Sequence, residues 1–433
     1  MMQQRAHAFA AAFAALGPLA ALGAVPAPLR ALELTVWNRP PEARAAERTL
    51  WDEETQQFAD SWRAESNDPG FTVNAISRDY IQQQFVAVMA GGKGPDVAHV
   101  WVGALPTLAR QGLLARLDAQ TSGWEQREFV PQVLWDPARV DGGIYGVPRD
   151  SYVTVLLVRR DLWVKAGLDP AVPPADWQAL EEDARRLNDP DHGVAGFGFA
   201  PTAESFMDFV WQAGGELLRD EGGQVRPAFQ ENAGSAAVSF LRRLRFDDGV
   251  MQPNPLASRD EMAQLFALGH VAMMMGVPNQ MPDLISRFGL GADQLLLFPL
   301  PAGPSGLKAT HASGEYYVIN ASSSPEKKRA AWAYIRAMLA PLNQLFRWKR
   351  MQELGIPVFP GAFSTTAQLN NLPAFQMVQD TLSSARSQPY LPNWPLIKDH
   401  LETTLLQRLF TERDADVPAL LQQAAQEVQE LYL

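Results

Sequence analysis

The 433-residue chain contains no cysteine. That excludes thiolate metal sites, thiol nucleophiles and disulfides, along with the lipidated cysteine that anchors a bacterial lipoprotein. The fold must rest on packing alone. Basic charge is also short: 37 Lys and Arg stand against 48 Asp and Glu, a net charge of −11. Nucleic acid is therefore not an expected partner, since binding it needs a cationic surface to displace counterions. Attachment to anionic lipid is disfavoured for the same reason. Beyond the N-terminal leader no stretch is long and apolar enough to cross a bilayer.

Motifs of catalysis are missing too. The chain has no G-x-S-x-G elbow, no H-E-x-x-H and no S-x-x-K with its partner motifs. Carboxylates are plentiful, but nothing marks two of them as a glycosidase pair. The six histidines (His7, His99, His192, His270, His311 and His400) do not stand at metal-ligand spacing from one another. Asp189-x-Asp191-x-Gly193 lacks the remaining ligands of a calcium loop and reads as a turn. The glycines of GGKGPD (Gly91–Asp96) end a helix and precede a strand, the reverse of a phosphate loop. No metal, cofactor or enzymatic activity is expected.

What is present begins with a leader. Arg5 and His7 precede an Ala/Leu/Phe run from Ala8 to Val25, broken at Gly17-Pro18 and followed by small residues. This is the pattern of an export signal. Residues 1–31 are read as signal peptide and start of the mature chain, with cleavage between Gly23 and Leu32, and the mature protein as periplasmic, not lipidated and monomeric.

From Leu32 strands and helices alternate. Strands are expected at Leu32–Trp37, Phe71–Ile76 and Asp96–Trp101, and helices at Glu47–Trp62, Tyr80–Ala90 and Leu105–Gln111. This order implies a mostly parallel sheet flanked by helices. Further on, Tyr152–Val158, Val271–Met275, Leu295–Phe298 and Tyr316–Asn320 read as strands. Asp176 is a helix N-cap, Ser258 and Glu261 form a capping box, and Ser324-Pro325 starts another helix. Trp177 and Trp332 lie on apolar helix stripes and read as core, and His99, inside a strand, reads as a core or edge histidine. Trp37 and Trp101 end the first and third strands, where open α/β sheets bind ligands. Aromatic rings there stack on apolar sugar faces while polar side chains bind hydroxyls.

Six segments, in order, resemble family 1 extracellular solute-binding proteins of bacterial ABC importers, the carbohydrate type that includes the maltose-binding protein. They are GKGPDVAHVWVGALPTLARQGLLARLD (Gly92–Asp118), IYGVPRDSYVTVLLVRRDLW, FMDFVWQAGGELL, LFALGHVAMMMGVP, GEYYVINASSSPEKKRAAWAYIRAML and PYLPNWPLIKDHLETTLLQRLF. The resemblance implies an α/β fold of two lobes joined by a multi-segment hinge, with a solute held in the cleft. Lobe one would comprise residues 32–147 plus 309–341, and lobe two 148–308 plus 342–433. It implies a small carbohydrate as ligand and permease subunits in the inner membrane as partners.

Carried over position by position, the resemblance places Trp37, Asn38, Arg39, Trp101, Gly103, Tyr152, Thr202, Glu204, Ser205, Gly276, Asn279, Gly314, Glu315 and Trp394 at the site, and Arg149 is expected near the cleft. The chain departs from the maltose-binding pattern at Gly103, Tyr152 and Asn279, which stand where an acid, a glutamate and a tryptophan would be. A different sugar is therefore expected. A polyol or a phosphorylated glycerol derivative is the alternative, with Arg39 and Arg149 as the groups that would favour an anion.

Overall fold

The computed structural model describes residues 31–38, 45–66, 68–77, 82–353 and 373–433. The chain forms two compact units. The first holds residues up to 151 together with 314–353, and the second holds 152–313 together with 373–433.

The first unit is built on a five-stranded sheet in the order Thr72–Ser77, Glu33–Asn38, Val97–Trp101, Glu315–Ile319, Val147–Pro148. Its first three strands are parallel neighbours, joined through the helices Ala45–Ser66 and Gln82–Ala90. Glu315–Ile319 returns antiparallel to Val97–Trp101 and to Val147–Pro148. This sheet is thus mixed, not mostly parallel: the helical crossovers deliver the parallel neighbours, and the segment returning from later in the chain pairs antiparallel. Val97–Val100 are buried, as expected for a strand covered on both faces.

The Pro-Asp step at the entry to that strand is structural. Asp96 accepts hydrogen bonds from Thr35 N (2.9 Å), Ser323 Oγ (2.6 Å) and Lys327 Nζ (2.9 Å). One carboxylate thereby ties two strands to the start of the helix Pro325–Met338. That helix packs on Ala45–Ser66, where Trp51 Nε1 donates to the buried Tyr334 hydroxyl (3.0 Å). Trp332, expected in the core, is half-buried and lies edge-on to Trp124.

The second unit has a four-stranded sheet in the order Leu295–Phe298, Val155–Arg159, Val271–Gly276, Ala195–Gly198. Only the last pair is parallel. Trp177 stacks on Phe240 at 4.6 Å and donates to Gln212 Oε1 (2.7 Å), deep in the core. The C-terminal helices close the same core through Leu401, Leu405, Leu409, Leu421 and Val428.

Asp176 and Ser324 cap their helices as the sequence predicts. The capping box is half made: Ser258 Oγ accepts from Glu261 N (3.1 Å), but the Glu261 carboxylate accepts from Asn254 Nδ2 (3.0 Å).

The chain passes between units after Ser151 and after Ser313, a few residues later than the boundaries expected at 147 and 308. Pairing explains the shift. Val147 and Pro148 are held by Tyr317 and Tyr316 of the first unit, whereas His311–Ser313 pairs with Tyr152–Val153 inside the second. The helix Pro341–Glu353, expected in lobe two, belongs to the first unit, where Asn343 Nδ2 donates to Ala337 O (2.6 Å).

Candidate functional site

In the first unit five expected residues converge where strands end. Glu315 is the register partner of Trp101, and Val102 N donates to Gly314 O (3.0 Å). Arg149 N donates to Glu315 O (2.8 Å), while Glu315 N donates to Asp150 Oδ1 (3.0 Å). The Arg149 guanidinium is paired with the Asp150 carboxylate and lies 3.8 Å from Glu315 Oε2. Two carboxylates thus more than offset the charge of this cation, and all three side chains are mostly shielded from solvent.

Glycine at 314 permits this crossing. A β-carbon there would stand 2.3 Å from Asp150 O and 3.1 Å from Ser151 Cα, backbone against backbone. Gly103 has a different reason. A β-carbon at residue 103 would fall 1.9 Å from Cζ3 of the Trp101 ring, so the half-buried indole lies directly over it.

Trp37 does not join this group as a surface ring. It is 6% exposed and packs edge-on to Phe85 at 6.1 Å, in the core. Asn38 next to it is buried, and its Oδ1 has no hydrogen-bond partner among the described residues. Arg39 lies outside the described residues. His99 is fully buried against Tyr317, with ring centroids 4.5 Å apart.

In the second unit Thr202, Glu204 and Ser205 meet at the start of the helix Ala203–Gln212. Thr202 Oγ1 caps the helix by accepting from Ser205 N (3.2 Å), and the two hydroxyls lie 2.9 Å apart. Glu204 is 5% exposed and receives Lys398 Nζ at 2.6 Å and Arg259 at 3.5 Å. Burial, the largest single influence, pushes its pKa up, but the charges of Lys398 and Arg259, the Lys398 hydrogen bond and His311 together hold it below the ordinary value. Glu402, in a π-helical turn at Leu401–Leu406, accepts from Ala203 N (2.9 Å). Its pKa is raised, first by burial.

Behind this cluster Asp208 is fully buried and accepts from His311 N (2.7 Å), and its carboxylate also meets His311 Nδ1 (3.1 Å). Thr154 Oγ1 lies 3.2 Å from the same nitrogen.

The other expected residues of this unit sit elsewhere or hold structure. Tyr152 lies in the short strand Tyr152–Val153 and Asn279 in the turn Pro278–Gln280, and both side chains are outside the described residues. A β-carbon on Gly276 would stand 2.6 Å from Gln280 Oε1 and from Leu157 Cδ1, so that glycine makes room for the turn. Trp394 is 2% exposed and buried in the apolar core, not at a surface. It precedes the cluster by one helical turn, and Lys398 on the same helix is the residue that reaches Glu204.

Asp150, Arg259, Lys398 and Glu402 were not anticipated. Lys398 and Glu402 had a faint signal, an opposite-charge pair at i, i+4. The long-range pairing with Glu204 had none. Among the described residues no group of three or more His, Asp or Glu is arranged to hold a metal ion, and no helix is long and apolar enough to cross a membrane.

These features define a two-unit α/β chain with polar clusters at strand and helix ends, the build of a solute receptor. The chain belongs to the bacterial extracellular solute-binding protein family, which matches residues 45–345. It is 26% identical over 378 residues to a putative binding protein of Brucella abortus, covering 83% of this chain and 86% of that one. An ABC transporter solute-binding protein of Thermotoga lettingae, bound with α-D-tagatose, has a TM-score of 0.74 at 25% identity, over 92% of this chain and 99% of that one. UgpB of Mycobacterium tuberculosis, in complex with glycerophosphocholine, has a TM-score of 0.73 at 21% identity, over 92% and 98%. The two-lobe binding-protein fold is that of these structures, and the chain is the solute-binding component of an ABC transporter.

Proposed function

We propose that the protein binds a neutral, polyhydroxylated solute, a carbohydrate in the first instance, in the periplasm, and delivers it as a monomer to the permease subunits without altering it chemically. One observation carries the choice of a neutral ligand. Each described cation at the candidate positions already has a carboxylate: Arg149 has Asp150 and Glu315, and Lys398 and Arg259 share Glu204. An anionic ligand would have to displace these pairs and leave a shielded carboxylate without its counter-charge, which costs free energy. Hydroxyl groups meet no such conflict. They donate to carboxylates and accept from guanidinium and ammonium groups that remain paired.

The ligand contacts in this reading are Trp101, Arg149 and Glu315 from the first unit, and Thr202, Glu204 and Ser205 with Lys398 from the second. Tyr152 and Asn279 complete the set, and export by the leader supplies the compartment. The similarity to the glycerophosphocholine complex favours a second reading, a phosphorylated glycerol derivative. Calorimetric titration with sugars, polyols and glycerol phosphodiesters separates the two. Micromolar binding of a neutral sugar supports the proposal. Binding of a phosphodiester with no sugar bound below millimolar overturns it.

A further inference from the structure

We infer that Asp208 is a positioning residue for solute binding: through His311 it ties the strand pair at the two chain crossings to the helix that carries Glu204. Its effect on affinity rests on the proposed function, in which Glu204 and Tyr152 contact the solute. The grip of Asp208 on His311 stands by itself.

The helix Ala203–Gln212 carries Glu204, Asp208 and Gln212 at intervals of four, all buried. That spacing lines them along one face. Glu204 meets Lys398 and Arg259, and the other two hold a single segment of chain. Gln212 Nε2 donates to Ala309 O (2.9 Å), and His311 N donates to Asp208 Oδ1 (2.7 Å). His311 Nδ1 lies 3.1 Å from both Asp208 oxygens and 3.2 Å from Thr154 Oγ1. Thr310 Oγ1 donates in turn to Thr154 O (3.0 Å).

Three elements are thereby joined at one point. Thr154 directly follows the strand Tyr152–Val153, which pairs with His311–Ser313 so that Tyr152 stands opposite Ser313. The chain enters this unit at Tyr152 and leaves it after Ser313. Asp208 thus sets the spacing between Glu204, one turn earlier on its helix, and the strand position of Tyr152.

The chemistry of the tie singles out Asp208. At Gln212 a neutral amide suffices, donating to Ala309 and accepting from Trp177 (2.7 Å). At Asp208 the group is a fully buried carboxylate, and among the described residues no lysine or arginine pairs with it. A buried charge costs more stability than an amide would. In return it accepts from the backbone and the ring of one residue, which fixes the imidazole with its proton on Nδ1. Arg386, the register partner of His311, directs its guanidinium to Glu216 and Trp211 instead. The imidazole is also electrically coupled to the solute cluster: burial raises the pKa of Glu204, Lys398 and Arg259 lower it, and His311 adds to that lowering.

The test follows the imidazole nitrogen resonances of the full chain. His311 is identified by loss of its signals in His311→Asn, and the exposed His192, paired with Asp189, is the internal reference. Saturating D-tagatose or maltose should shift the His311 signals and leave those of His192 in place, whereas a purely structural tie would not respond to solute. Asp208→Asn and His311→Leu should each weaken sugar binding about tenfold, and the double variant little more than either. His311→Asn, whose amide can donate from near the Nδ1 position, should recover most of that loss.

An unmoved His311 resonance in a wild type that binds either sugar overturns the role. So do undiminished affinity in His311→Leu, additive losses in the double variant, or no recovery in His311→Asn. Where a variant fails to fold, the solute-induced shift in the wild type decides alone. If neither sugar binds, that failure falls on the proposed ligand class, and Glu204→Gln without solute decides for Asp208. A shifted His311 resonance in that variant upholds the link, and an unshifted one overturns it.

Discussion

The two units place polar residues at comparable positions by opposite means. The first relies on backbone closeness: Gly314 lets one segment pass over Asp150, and Gly103 lets an indole lie on the chain. The second relies on charge: a buried glutamate at a helix start is held by a lysine and an arginine from distant segments. The second spends charge in a partly shielded setting, where pairing must offset desolvation, and so it responds to protonation.

The largest effect contrasts the two expected tryptophans that differ most in setting. Trp394→Ala empties a core position at 2% exposure and should cost about 3–5 kcal/mol in denaturant unfolding. Trp101→Ala, on a half-buried ring, should cost far less stability while weakening solute binding. Equal losses of stability would erase the distinction between core and site.

Next comes Gly314→Ala, where the clash is with backbone and cannot be relieved by a rotamer. A destabilisation of about 2–3 kcal/mol is expected, typical of overpacking, against little for Gly103→Ala. Thermal melts of the two variants side by side would show whether backbone closeness is what the first unit depends on.

Glu204→Gln should cost about 2 kcal/mol at neutral pH, in the range for a hydrogen bond to a charged group. Because the folded pKa of Glu204 lies below the ordinary 4.5, its stabilisation is full above that value and is lost as pH falls through the lower folded value. The gap between variant and wild type should therefore close in acid. A gap that stays constant to low pH would remove charge from the account.

The smallest effect is expected at Glu402, whose folded pKa lies above 4.5. Its contribution is present below 4.5 and is lost as pH rises through the higher folded value. Glu402→Gln should thus be neutral or slightly stabilising at pH 7, by a few tenths of a kcal/mol to about 1, since the amide oxygen still accepts from Ala203 N.

Much of the frame was legible beforehand. The strand at Val97–Trp101, the caps at Asp176 and Ser324, and the buried His99 all follow from local pattern. Gly112, at φ 71°, ends the helix Leu105–Arg110 as a glycine past a helix end should. The burial of the rings was less legible. Trp37 and Trp394, expected among the ligand contacts, lie in the core at 6% and 2% exposure, because sequence proximity to an element end does not say which way a ring turns. Strand direction in the mixed sheets was hidden for a similar reason, since a segment returning from the far end of the chain carries no mark of which edge it will join.

By itself the sequence determined composition and rhythm: no thiol chemistry, a net acidic charge and α/β alternation, because these depend on residue type and short-range periodicity. Only the tertiary structure decided that Arg149 is cancelled by Asp150 and Glu315, that Lys398 reaches Glu204 from 194 positions away, and that Gly103 exists for the Trp101 ring. Those are facts of three-dimensional proximity. Coulomb attraction and steric exclusion act over a few ångströms regardless of separation along the chain.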